Sequence, residues 1–160
     1  MTRVVCPGSF DPVHLGHLDV IARAATQFDE VVVTVVVNPN KSGLFTIDER
    51  VEMIDACTTH LAGVRVDVWE GLLVDYAAQH GATAMIKGLR NAADFDYEVQ
   101  MAQMNRRLTG VDTVFLGTDP VHSCLSSSLI KEIARLGGDV TSMVPSVVHE
   151  RLLTRLAERA

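Results

Sequence analysis

A parallel α/β sheet with helices on both faces is the fold class this sequence predicts, and three observations predict it. The longest apolar run, Val31-Val32-Val33-Thr34-Val35-Val36-Val37, does not alternate with polar residues, and a strand of that kind is buried on both faces, as in a parallel sheet. Strand-like segments alternate with helical patterns, the order that right-handed βαβ units produce. The loops richest in glycine, proline, serine and cations directly follow strands, where open parallel sheets bind ligands. Together these give a Rossmann-like domain with a five-stranded parallel sheet and a C-terminal amphipathic helix.

The first strand, Thr2–Cys6, runs into the turn Pro7-Gly8-Ser9-Phe10-Asp11-Pro12, and helical periodicity follows over Leu15–Phe28. Glu30–Val37 is the second strand. Thr46-Ile47-Asp48-Glu49 reads as a capping box that opens a helix over Asp48–Thr58. The third strand, Val64–Trp69, leads to a helix at Leu73–His80, and the fourth, Ala82–Lys87, to one at Phe95–Leu108. The fifth, Thr113–Gly117, precedes a helix at Ser128–Leu136. The last helix, Ser146–Ala160, carries Val148, Leu152 and Leu156 on one face. Low-complexity stretches, repeats and Pro/Ser-rich linkers are all lacking, so 1–160 reads as one domain.

At 160 residues the chain can bury a core without staples. Its only long apolar run is too short to span a bilayer, and Pro7 and Gly8 interrupt any signal-peptide core, so a membrane partner is not expected. Cys6, Cys57 and Cys124 are odd in number and form no C-x-x-C pair. That argues against a disulfide framework or a structural zinc site and predicts a cytoplasmic protein. A net charge of −6 argues against nucleic-acid coating. An acidic chain can still bind a small polyanion by concentrating its cations, so the positions of Lys and Arg matter.

Four loops carry the candidate chemistry. His14-Leu15-Gly16-His17 stands at the opening of the first helix. Backbone N–H groups there are unpaired and favour an anion. Two imidazoles one helical turn apart can add donors to a phosphate, which suggests attack at a nucleotide's α-phosphate. In Asn38-Pro39-Asn40-Lys41-Ser42-Gly43, Lys41 is either a solvated lysine or a mobile ammonium that follows phosphate charge, and the spacing leaves both open. Lys87 and Arg90 flank Gly88, where a glycine lets backbone approach a ligand; their alternative is ion pairing with Asp94, Asp96 or Glu98. Ser126-Ser127-Ser128 exceeds what one N-cap requires, which makes it a second anion cradle. Tyr97, Met101, Met104 and Leu108 have helical spacing and read as core or a subunit contact. His60, His80 and His149 lack metal-ligand spacing and read as surface residues.

Pro7-Gly8-Ser9-Phe10-Asp11-Pro12 with Gly16-His17, then Asn38-Pro39 with Lys41, then Phe45-Thr46 with Glu49-Arg50, resembles bacterial phosphopantetheine adenylyltransferase. So do Ile86-Lys87-Gly88-Leu89-Arg90, Asp94-Phe95-Asp96-Tyr97-Glu98 and Met101-Ala102-Gln103-Met104-Asn105. Ser126-Ser127-Ser128-Leu129, Lys131-Glu132 and Gly138-Asp139-Val140 extend the resemblance over nearly the whole chain. It implies transfer of AMP from ATP to 4′-phosphopantetheine, giving dephospho-coenzyme A and pyrophosphate. It also implies Mg²⁺ held mainly through the ATP phosphates, a homohexamer, and coenzyme A as a feedback ligand. By the same resemblance His17 is the catalytic residue, and Ser9, Lys41, Leu73 and Lys87 contact phosphopantetheine. Ser9, Phe10, His17, Gly88, Leu89, Arg90 and Glu98 contact ATP, together with His122, Ser123, Cys124, Leu125, Ser126, Ser127 and Ser128.

This chain departs from that family's pattern in three places. His14 stands where threonine is common, as in nicotinate-mononucleotide adenylyltransferases; Ser9 replaces a threonine; and His122-Ser123-Cys124 replaces an aromatic-Ser-aromatic stretch. His14 makes another small-molecule adenylyltransferase the alternative reading, while Lys87–Arg90 and Asp94–Glu98 favour phosphopantetheine. A class I tRNA synthetase shares the two-histidine signature, but this chain is short, acidic and has no KMSKS-like loop. A catalytically silent nucleotide-binding scaffold would not need all four loops equipped.

Overall fold

The computed structural model describes residues 1–159. Five parallel strands form one sheet in the order β3-β2-β1-β4-β5. In chain order they are β1 (Arg3–Gly8), β2 (Glu30–Val37), β3 (Val64–Glu70), β4 (Ala84–Leu89) and β5 (Asp112–Gly117). The helices are α1 (Leu15–Ala25), α2 (Ile47–Thr58), α3 (Leu73–Gln79), α4 (Ala92–Thr109), α5 (Ser127–Arg135) and α6 (Ser146–Glu158), with a 3-10 turn at Pro120–His122.

Strand alternation divides the core in two. Val4, Cys6, Val31, Val33, Val35, Ala84 and Ile86 face α1, α2, α5 and α6. Val5, Val32 and Met85 face the other way, onto Val74, Tyr76 and Ala77 of α3. Both sides of β2 are therefore covered, which is why its sequence does not alternate. α6 closes the first layer through Val148 and Leu152.

Caps set the helix starts. Thr46 and Glu49 form the expected capping box at α2. α4 begins at Ala92 rather than Phe95, because the Asn91 side chain accepts the Asp94 N–H and opens the helix earlier. β1 continues through Pro7 and Gly8, paired with Thr34 and Val35, while β4 lies two residues later than periodicity alone suggests. α1 stops at Ala25, short of Phe28. The expected end of the last helix, Ala160, lies outside the described residues.

One alternative is removed and one expectation corrected. The stripe Tyr97, Met101, Met104 and Leu108, expected as core or a subunit contact, is not core, for α4 has no buried residue and these side chains are exposed. His80 is more than a surface residue: its ring is half-buried and stacks on Tyr76, 4.1 Å between centroids. Among the described residues, no helix is long and apolar enough to cross a membrane.

Candidate active site

The strand order fixes where a ligand fits. β1 feeds α1 toward β2 on one face, and β4 feeds α4 toward β5 on the other, so the loops leaving these adjacent strands diverge and open a crevice. A cleft of about 480 Å³ occupies that place, walled by the loops after β1, β4 and β5 and by the start of α4.

The β1 loop turns at Phe10, whose φ of 48° is left-handed. Its buried ring lies beneath Gly8, where an added Cβ would come within 2.9 Å of it, and meets His17 edge-on at 5.0 Å. The chain then enters α1 through an unusual cap. His14 Nδ1 accepts the N–H groups of Gly16 (3.1 Å) and His17 (3.4 Å), while His17 Nδ1 accepts the His14 N–H (3.1 Å). The two rings stack at 3.6 Å. Each Nδ1 must be bare to accept, so each neutral ring carries its proton on Nε2. Burial, then the charges of Arg90 and His122, push His14 down to about 4. Burial, His14 and Arg90 hold His17 well below the ordinary histidine range. Gly16 has a packing reason as well: a Cβ there would lie 3.0 Å from His14 Cε1.

On the opposite wall the cations are paired. Lys87 Nζ lies 3.3 Å from Glu98 Oε2. Arg90 Nε and Nη2 grip Asp94 at 3.0 and 3.2 Å, and its Nη1 donates to the Leu125 carbonyl at 3.0 Å. The local ion pairing offered as the alternative is thus present, and both cations line the cleft as well. Gly88 lets Val20 of α1 approach, since a Cβ would sit 2.8 Å from Val20 Cγ2.

The serines divide their work. Ser126 caps α5 by accepting the Leu129 N–H. Ser127 Oγ donates to the Pro12 carbonyl at 2.8 Å, which ties α5 to the β1 loop.

Phe10, His17, Lys87, Gly88, Arg90, Glu98, His122, Leu125, Ser126 and Ser127 thus share the cleft. Ser9, Leu89, Ser123, Cys124 and Ser128 lie beside it in the same loops but off its lining. Lys41 is exposed on the loop after β2, and Leu73 opens α3 beyond the edge strand β3. Sequence reasoning did not place Asp94, Tyr97 or Thr118 on the wall. The signal for the first two was available: Asp94, Tyr97 and Glu98 are spaced i, i+3, i+4 on one face of a helix capped by Asn91. Cys6 also reaches the cleft, its thiol pushed up to about 12 by burial against the opposing pull of Lys87.

A profile of the cytidylyltransferase-like family matches residues 5–133, from β1 into α5, and so takes in every wall of the cleft. The chain belongs to that family. It is a nucleotidyltransferase-type enzyme with the corresponding Rossmann-like fold. Among solved structures it is similar to a candidate nicotinate-nucleotide adenylyltransferase from Vibrio parahaemolyticus, with a TM-score of 0.71 at 18% identity, covering 100% of this chain and 98% of that one. It is also similar to the lipopolysaccharide core biosynthesis protein from Thermoplasma volcanium, with a TM-score of 0.54 at 22% identity, covering 74% of this chain and 97% of that one. At these identities the likeness is one of fold.

The histidine cap makes stability pH-dependent with a definite sign. Folded His14, at about 4, binds fewer protons than an unfolded histidine near 6.5. Its contribution is therefore full above 6.5 and is lost as pH falls toward 4, a displacement worth about 3 kcal/mol. Melting curves across that window should fall more steeply for the parent than for His14→Asn, whose side-chain oxygen can cap without titrating. Equal slopes would contradict the neutral-imidazole cap.

Proposed function

We propose that this protein is a cytoplasmic phosphopantetheine adenylyltransferase that transfers AMP from ATP to 4′-phosphopantetheine, releasing pyrophosphate. One observation carries the reading: two imidazole Nε2–H donors and the Lys87–Glu98 and Arg90–Asp94 pairs share one cleft at the β1/β4 switch point. The acceptor's phosphate oxygen attacks the α-phosphorus, a P–O bond forms, and the bond to the β-phosphate breaks with its electrons leaving on pyrophosphate. The acceptor is already anionic, so alignment and charge stabilisation suffice. His17 donates through Nε2–H to the oxygens on which charge builds. Arg90 and the α5 start hold the nucleotide phosphates, and Lys87, with Ser9, Lys41 and Leu73, serves the acceptor.

Asp94 and Glu98 are each engaged with a cation, and among the described residues no group of three or more His, Cys, Asp or Glu side chains could hold a metal. Mg²⁺ held through water and ligand phosphates needs no such group. In this proposal it arrives on the ATP phosphates, and coenzyme A competes as a feedback ligand. The second reading, a nicotinate-mononucleotide adenylyltransferase, is favoured by His14. Supplied with ATP, Mg²⁺ and each acceptor separately, the protein should release pyrophosphate with phosphopantetheine. Robust turnover of nicotinate mononucleotide alone would exchange the two readings.

We also propose a homo-oligomer, by resemblance a hexamer, with a second copy covering Phe95, Met101, Met104 and Leu108 of α4, all of which are exposed in the single chain. Light scattering should give a mass well above 17.4 kDa, and Met101→Glu with Met104→Glu should lower it. An active monomer would remove this part of the proposal.

A further inference from the structure

We propose that Asp11, with Lys131 and Arg50, forms a positioning triad that seats the nucleotide side and the acceptor side of the cleft through separate arms. This inference rests on the nucleotidyl-transfer reading above. None of the three residues lines the cleft. Asp11 is 7% exposed, and its carboxylate accepts three hydrogen bonds and pairs with one guanidinium, whose Nε donates to the Phe45 carbonyl instead. The Leu44 and Phe45 N–H groups lie at 2.9 Å, Lys131 Nζ at 3.0 Å and Arg50 Nε at 3.5 Å. Burial opposes the charged form, but the two amides, Lys131 and Arg50 outweigh it and keep the carboxyl below its usual range.

The partners of Asp11, itself in the loop after β1, come from three directions: Leu44 and Phe45 end the loop after β2, Arg50 lies on α2 and Lys131 on α5. Arg50, itself 8% exposed, also donates to the carbonyls of Ser9 (3.1 Å) and Phe45 (2.9 Å). The Lys131 arm therefore fixes α5, whose start supplies Ser126 and Ser127 to the cleft. The Arg50 arm fixes Ser9 and the base of the loop carrying Lys41.

Apolar packing of equal volume would hold these segments at least as strongly, because buried ions carry a desolvation penalty. Directional bonds from one carboxylate add register between three segments, and register is what two aligned phosphates require.

The test compares Lys131→Met with Arg50→Lys, using the acceptor that the parent turns over, and measures MgATP binding by calorimetry without acceptor. Lys131→Met should weaken MgATP binding and raise the KM for ATP about tenfold, the loss of one charge-assisted hydrogen bond, with kcat and the acceptor KM nearly unchanged. Arg50→Lys should raise the acceptor KM by more than it weakens MgATP binding, since Ser9 is the one contact shared by both ligands. Asp11→Asn should weaken MgATP binding too, and the double variant with Lys131→Met should be no worse than the poorer single one. A lower Tm with every kinetic and binding constant unmoved would overturn the proposal, as would additive losses, which would mean that Lys131 acts elsewhere. If Arg50→Lys fails to fold, the calorimetric arm still decides. Because that arm uses no acceptor, failure of the phosphopantetheine reading and failure of the triad remain distinguishable.

Discussion

The reciprocal hydrogen bonding of His14 and His17 across the first turn of α1 is the constraint on which the cleft depends. Every helix begins with N–H groups that lack partners, and most helices satisfy them with serine, threonine, asparagine or aspartate oxygens. Here imidazole nitrogens do so. The capping role fixes the tautomer, the tautomer sets each proton on Nε2, and burial above all keeps both imidazoles neutral. Gly16 is required because a side chain would strike the capping ring, and Phe10 braces the second imidazole from the side. In the proposed reaction, the structural need at the helix terminus and the chemical need at a phosphate therefore fall on the same turn.

Neutral histidines and paired cations give the cleft many donors and little net charge. Arg90 and Lys87 do not wait unsatisfied; each is held in place by a carboxylate of α4. Fixed donors of this kind need no reorganisation as charge develops. Fixing them takes links between loops that are distant in sequence. Arg90 reaches Leu125, Ser127 reaches Pro12, and Asp11 gathers Leu44, Phe45, Arg50 and Lys131. The sheet brings the loops to one side, and these polar ties set their register.

Most of the fold was legible because its signals are local. The run from Val31 to Val37 announced a strand covered on both faces, and Thr46 with Glu49 announced a helix start. The site was legible where its residues are neighbours in the chain, as with His14 and His17 or Lys87 and Arg90. What escaped was set by tertiary placement. Whether Lys41 and Leu73 approach the cleft depends on strand order and loop conformation, and β3 at the sheet edge puts Leu73 two strands from β1. The tasks of Ser126 and Ser127 differ only because Pro12 stands beside one of them. Asp94 lies in α4 because Asn91 opens the helix a turn early, and Tyr97 leaves the apolar stripe for the wall beside it. Asp11 gave no sequence signal for its role, since its partners come from residues 33 to 120 positions away.

The most direct test of the account compares steady-state kinetics of His17→Ala and His14→Thr, with ATP affinity measured by calorimetry and folding checked by melting. If His17 Nε2–H acts on charge that develops in the transition state, His17→Ala loses on the order of 10²–10³ in kcat while ATP affinity changes little. A threonine hydroxyl can still cap α1, so His14→Thr stays within about tenfold of the parent. A crippled His14→Thr beside a nearly normal His17→Ala would contradict the assignment of roles in the cleft.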